Sequence, residues 1–261
     1  MAMAAAAAIA PSAGQSQSRW QPDGVASVAR IGLLTPDDDP VPESEMQTLA
    51  PKGISIHASR VPWNHDVSAF VEHAGAATEI VARVSPRVIL YAFTSSSYTL
   101  GAKGDDGLRA TLEKRAGGIP VILTCDAALE AFRFVAARRI GLIHPPWFAE
   151  DLSRKGMEYF RTRGIEVVSC DRVMPARTFT EVPPAEVYEF VGSKAPPQAE
   201  AIFIGGNGLR AIGVIQALEE RLHKPVLTAN QVLFWQALRT LKVSSGPNRY
   251  GILFKNSGTP R

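Results

Sequence analysis

A seven-residue pattern that occurs twice constrains this chain more than any bulk property does. Arg30-Ile31-Gly32-Leu33-Leu34-Thr35-Pro36 returns as Arg139-Ile140-Gly141-Leu142-Ile143-His144-Pro145. A second pair follows at nearly the same spacing, Pro120-Val121-Ile122-Leu123-Thr124 and Pro225-Val226-Leu227-Thr228. Between them, Phe93-Thr94-Ser95-Ser96-Ser97 corresponds by order to Gly205-Gly206-Asn207-Gly208. Three ordered matches at one offset of roughly a hundred residues point to a duplicated unit of ordinary domain size.

Short β-branched runs alternate with longer helical periodicity along the whole chain, the pattern of parallel strands joined by crossover helices. Strands are predicted at 30–34, 54–59, 88–93, 121–124, 140–143, 166–169, 201–204 and 225–227. Helices are predicted at 68–82, 107–116, 127–137, 148–163, 184–191, 209–222 and 231–241. The expected architecture is α/β, with two pseudo-symmetric halves, each a small parallel sheet flanked by helices. Residues 28–125 with 236–261 form the first half, and residues 126–235 the second. Residues 1–27, Ala-rich and then Ser/Gln-rich, read as a flexible tail; without a basic leader they are not expected to be a cleaved export signal.

Composition removes several function classes. Every apolar stretch is broken by charge, Gly or Pro well before the roughly 18 to 20 residues of a membrane span, so no membrane partner is expected. A net charge of +3, with Lys and Arg scattered, leaves no footprint for nucleic acid. Cys125 and Cys170 form no Cys-x-x-Cys pair and have no histidine cluster beside them, which argues against zinc and a disulfide framework and fits a reducing, cytoplasmic location. No Gly-x-Gly-x-x-Gly or Walker-type motif is present, so no cofactor and no metal is expected. The partner is then a small molecule. In α/β folds it binds beyond the carboxyl ends of the strands, where helix N-termini favour an anion such as a carboxylate. The sequence leaves the oligomeric state open, and a homo-oligomer is compatible with it.

The segments at these strand ends resemble the aspartate/glutamate racemase superfamily, in its arylmalonate decarboxylase and maleate isomerase branch. The resemblance runs from about Val28 to Phe254. It is carried by the Arg30 to Pro36 strand, Tyr91 to Ser97, Pro120 to Leu129, His144-Pro145-Pro146-Trp147, Ile202 to Arg210, Pro225 to Trp235, and Tyr250 to Phe254. It implies a cofactor-independent isomerase or carbon–carbon lyase that stabilises an enediolate or related anion in the cleft between the halves. Members move protons with one or two cysteines at the ends of the central strands. The matching positions here are Phe93 and Gly206, so both thiols of the pattern are missing.

Thr94 and Ser95 match the carboxylate-cradling pair of that pattern, with Ser96 and Ser97 behind them at what also reads as a helix cap. Phe93, Gly206, Pro36 and Trp147 are expected to line the substrate site. Asn207 offers a donor and an acceptor that could orient a carbonyl or a water. His144, at a strand end, is the first substitute for the missing thiols because imidazole titrates near neutral pH. His57, His65, His73 and His223 fall in less telling places. Cys125, opening a helix, is the rival, since a helix N-terminus favours thiolate. Asp37-Asp38-Asp39 reads as a solvated turn from which Asp37 could reach the pocket. Three functions therefore stand open: isomerase or decarboxylase, a hydratase or hydrolase with a water held by Asn207 and His144, and a carboxylate-binding protein without catalysis.

Overall fold

The computed structural model describes residues 25–63, 67–173, 182–244 and 246–255. Most of the expected tail and His65 lie outside the described residues. The first half runs β1 (Ala29–Pro36), α1 (Val41–Leu49), β2 (Ile54–Val61), α2 (Val67–Ala82), β3 (Val88–Tyr91), α3 (Thr94–Arg115), β4 (Val121–Leu123) and α4 (Thr124–Phe134). The second runs β5 (Arg139–His144), α5 (Glu150–Thr162), β6 (Glu166–Arg172), α6 (Pro184–Lys194), β7 (Ala201–Ile204), a 3-10 turn at Ile212–Val214, α7 (Ile215–Leu222), β8 (Val226–Thr228) and α8 (Ala229–Thr240). A short α9 (Ile252–Lys255) follows.

The strands form two four-stranded sheets, all pairs parallel, with the orders β2-β1-β3-β4 and β6-β5-β7-β8. The repeat in the sequence is therefore a repeat in topology. It is also a repeat in hydrogen bonding. Arg87 N donates to Arg30 O at 2.9 Å as Glu200 N donates to Arg139 O at 2.8 Å. Ile89 N and Ile202 N donate to Pro120 O and Pro225 O, both at 2.9 Å. Beyond the strands, Ala92 N reaches Leu34 O at 2.9 Å and Gly205 N reaches Ile143 O at 2.8 Å. Gly32 and Gly141 occupy equivalent places in β1 and β5, where a Cβ would lie 3.0 Å from Ile89 Cγ1 and 2.9 Å from Ile202 Cδ1.

All eight predicted strands are present, and the differences lie among the helices. Helix α1 was not expected, because its sequence VPESEMQTL carries little apolar periodicity. It is started instead by proline near its first turn and by Asp39 Oδ1, which accepts the Val41 N–H at 2.9 Å. Helix α3 begins at Thr94 rather than 107, and a non-helical Gly101 divides it. The helix expected from 209 starts only at the 3-10 turn.

The two halves share one apolar core because their last helices reach across. Phe132 of α4 packs edge-on against Phe160 of α5 and Phe203 of β7, at 5.6 and 5.5 Å between ring centroids. Helix α8 in turn lies on β3, β4 and α1. A buried polar chain crosses the same boundary. Thr94 N and Oγ1 donate to Asn207 Oδ1 at 3.0 and 2.6 Å, and Asn207 Nδ2 donates to Asn230 Oδ1 at 2.8 Å. Asn230 Nδ2 donates to Glu45 Oε2 at 2.7 Å and to Asn207 O at 2.8 Å. Glu45 Oε1 accepts Ala211 N and Ile212 N at 2.9 and 3.1 Å.

Burial pushes the Glu45 carboxyl up to about 7, against the opposing pull of Asn230 and the two backbone donors. A carboxyl raised on folding binds more protons folded than unfolded between its two pKa values. Its contribution to stability is whole below the unfolded value and is lost as pH rises through about 7.

In denaturant unfolding, Gly32→Val and Gly141→Val should each lower stability by about 1–3 kcal/mol through overpacking at equivalent points. Asn230→Ala should cost about 2–5 kcal/mol, because three buried partners lose their bond at once. Wild type should lose stability as pH rises from about 4.5 to about 7, and that decline should flatten in Glu45→Gln.

Candidate functional site

The carboxyl ends of both sheets open into one cavity of about 600 Å3, and most of the residues singled out by sequence meet there. Pro36 from the end of β1, Phe93, Thr94 and Ser95 from the β3–α3 junction, Trp147 after β5, and Gly206 and Asn207 after β7 all line it. Trp63, Phe148 and Leu152 complete an apolar wall. That wall is stiffened from behind: Trp63 and Phe93 have ring centroids 5.1 Å apart, and Phe70 lies 4.9 and 4.7 Å from them.

The polar floor differs from the expectation in what it leaves for a ligand. Thr94 is 2% exposed, and both its N–H and its hydroxyl are engaged by Asn207. Asn207 is 4% exposed; its oxygen accepts from Thr94, and its nitrogen donates to Asn230 and, at 3.2 Å, to Thr124 Oγ1. These side chains lock the halves together. Ser95 is half-buried on the cavity wall, at the second position of the segment of α3 that precedes Gly101. The first N–H groups of a helix have no intrahelical acceptor and stand at the positive end of its dipole. With Thr94 N taken by Asn207, the Ser95 N–H and hydroxyl are the donors that α3 presents to an anion.

Position 206 is closed to any side chain. Gly206 has φ +89°, the left-handed region that favours glycine, and a Cβ there would lie 2.7 Å from Pro145 Cδ and Cγ. Gly208 is equally confined: a Cβ would meet Asp39 Oδ2 at 2.7 Å and Trp147 Cζ2 at 3.2 Å.

The structure does not bring His144, Cys125 or Ser96 to the cavity. His144 is fully buried, with Nδ1 3.0 Å from Ser153 Oγ and Nε2 3.3 Å from Tyr98 OH. Burial, with Arg172 nearby, pushes its pKa down to about 3, so the ring stays neutral at physiological pH. Cys125 is fully buried, and desolvation holds its thiol well above the ordinary range, outweighing any help from the helix start. Cys170 is half-buried and pushed up to about 11, again chiefly by burial. Ser96 turns inward, donating to Phe93 O at 2.9 Å and bonding Tyr91 OH at 2.7 Å.

The acidic run also sorts differently. Asp37 is exposed and away from the cavity, whereas Asp38 and Asp39 line it. Asp39 is 6% exposed, and burial pushes its carboxyl up to about 6. Three consecutive aspartates look alike in the sequence; the Pro40-Val41-Pro42 start of α1 is the one signal that the third is turned back toward the helix start, where it accepts the Val41 N–H. Lys155 and Asp151 of α5 stand at the exposed rim. Among the described residues no group of three or more His, Cys, Asp or Glu is placed to hold a metal, and no helix is long and apolar enough to cross a membrane.

Comparison with known proteins agrees with this architecture. The maleate isomerase of Geobacillus stearothermophilus is 22% identical over 235 residues, covering 83% of this chain and 93% of that protein. The arylmalonate decarboxylase of Bordetella bronchiseptica is 24% identical over 248 residues, covering 89% and 99%. Among solved structures, the Nocardia farcinica maleate cis-trans isomerase bound to TRIS superposes with a TM-score of 0.80 at 20% identity, covering 88% of this chain and 99% of that one. An arylmalonate decarboxylase superposes at 0.78 and 21%, covering 87% and 99%. Residues 33–254 match the arylmalonate decarboxylase family, and with most of its length inside that match the chain belongs to it.

Proposed function

We propose that this protein is a cofactor-independent decarboxylase or isomerase of a small carboxylate bearing an aromatic or bulky apolar group, and that it works without a thiol. The observation that carries the reading is the pairing, in one cavity, of helix-start donors at Ser95 with a wall of Trp63, Phe93, Trp147 and Phe148. Few polar anchors on a mostly apolar surface are what a ligand site requires. The two curated relatives act as a maleate isomerase and an arylmalonate decarboxylase, which supports the reaction class. A cavity of about 600 Å3 walled by four aromatic rings suits an aryl-substituted malonate better than the small, wholly polar maleate.

In the decarboxylation, one carboxylate is held by the Ser95 N–H and hydroxyl. The other lies against the aromatic wall, where a charged group is poorly solvated and its conversion to neutral CO2 is favoured. As the carbon–carbon bond breaks, its electron pair spreads into the retained carboxylate as an enediolate. Donors already aimed at that group then stabilise the developing charge, the term usually largest in such reactions. The enediolate carbon finally takes a proton.

The absence of thiol chemistry is part of the proposal. A Nocardia farcinica maleate cis-trans isomerase has been solved with a covalently bound succinylcysteine, so that enzyme forms a bond through sulfur. No cysteine is among the residues lining the cavity here, and the positions matched to the family's cysteines carry Phe93 and Gly206. The same observation favours a second reading, a carboxylate-binding protein without turnover.

Purified protein incubated with an arylmalonate should release CO2 and yield the arylacetate by proton NMR, with EDTA present and nothing added. Iodoacetamide at pH 7 should leave the rate within about twofold, because neither thiol is exposed and ionised. Binding of phenylacetate with no turnover of arylmalonate or maleate would establish the binding-protein reading instead. Loss of activity in EDTA that a divalent metal restores would refute the claim of cofactor independence.

A further inference from the structure

We propose that Asp39 is the acid that delivers the proton in this cavity, a catalytic role taken from the side on which the family pattern would place a thiol. The inference rests on the decarboxylase or isomerase reading above and adds the identity of the proton donor. Three geometric observations support it. Asp39 lies in the β1–α1 turn and lines the cavity although only 6% exposed, so its carboxyl faces a ligand and little bulk water. Its Oδ1 is fixed by the Val41 N–H at 2.9 Å. Its Oδ2 lies over Gly208, close enough that a Cβ there would stand 2.7 Å away. The carboxyl therefore sits against Gly208, two residues beyond Gly206 in the turn after β7.

Other candidates fail on geometry. His144 lies behind Gly205, with both ring nitrogens engaged, and Cys125 is fully buried away from the cavity. Asp38 and Asp151 line the cavity but are exposed, so their carboxyls face bulk water where that of Asp39 is enclosed.

The surroundings of Asp39 suit an acid. Burial and Asp38 raise its pKa, while Val41 N–H and Arg60 lower it, with a net value of about 6. Arg60 of β2 does not neutralise the carboxyl directly: its Nη1 donates to the Asp39 backbone oxygen at 2.7 Å, and its Nη2 pairs with Glu43 of α1. Glu45 of α1 adds a further carboxyl on the same side, while Lys155 and Asp151 of α5 face the cavity from its rim. A general acid works best with a pKa close to the operating pH.

The protonated Asp39 carboxyl gives the proton on Oδ2 to the enediolate carbon left after CO2 departs; the O–H bond breaks, a C–H bond forms and the electron pair of the enediolate is consumed. The product is the arylacetate, and Asp39 is left as carboxylate. A proton from water restores it, so one solvent proton enters each product molecule.

The test compares wild type, Asp39→Asn and Asp37→Asn on an arylmalonate across pH 5 to 8, with melting curves to establish folding. Wild-type kcat/KM should fall as pH rises through about 6, because the reactive form is protonated. Asp39→Asn should lose roughly 10² to 10⁴ in kcat with KM changed less than about fivefold, and its residual rate should lack that descending limb. Asp37→Asn should match wild type. Gly208→Ala, which displaces the carboxyl without removing it, should also lower kcat. An Asp39→Asn protein that is folded and within tenfold of wild type, or that keeps the limb, overturns the assignment while leaving the enzyme reading intact. A wild type with no turnover overturns the enzyme reading, and the assignment with it.

Discussion

The hydrogen-bonded chain from Thr94 through Asn207 and Asn230 to Glu45 is the constraint on which the cavity depends. It joins the first turn of α3 to the loop after β7 and to α8, and it ends on a carboxylate that also holds the backbone of Ala211 and Ile212. Such a network is stable only if each buried member is paired, and here every link has its partner. It fixes the distance between the two strand ends that face the ligand. It also spends the polar capacity of Thr94 and Asn207, which leaves Ser95 as the next residue of α3 on the cavity wall.

Duplication supplies two equivalent strand ends, and the site arises where they differ. After β3 the chain turns directly into the first segment of α3, opening with Thr94 and Ser95. After β7 it makes a turn in which Gly206 and Gly208 let Pro145 and Asp39 approach the backbone closely. One half brings helix-start donors and the other a backbone that Asp39 can approach. The reaching of α4 and α8 across the boundary keeps these ends in register, since neither sheet can shift without disturbing a core common to both.

Much of the fold was legible because it depends on periodicity and on strand-end punctuation. The eight strands, the repeated Arg-Ile-Gly-Leu segment, and the meeting of Thr94 and Ser95 with Gly206 and Asn207 all rest on local sequence that tertiary contacts do not contradict. What could not be read was direction. His144 and Cys125 sit beside the strand ends expected of them, but their side chains point into the protein, and burial then removes the titration that made them attractive. Asp39 differs from Asp37 by a single turn of backbone set by Pro40 and the Val41 N–H, and that turn alone decides which carboxyl enters the cavity. Helix α1 buries Val41, Met46 and Leu49 on one face, but the charged Glu45 stands among them and breaks the apolar periodicity that would have marked the helix.

The central claim is that a carboxylate binds at the start of α3 with its substituent against the aromatic wall and its reacting carbon beside Asp39. A crystal structure of the protein with an arylacetate bound tests it most directly. The account predicts carboxylate oxygens within hydrogen-bond distance of the Ser95 N–H and hydroxyl, the aryl ring against Trp63, Phe93 or Trp147, and the α-carbon within about 3.5 Å of Asp39 Oδ2. A carboxylate bound away from Ser95, or an α-carbon facing away from Asp39, would contradict it.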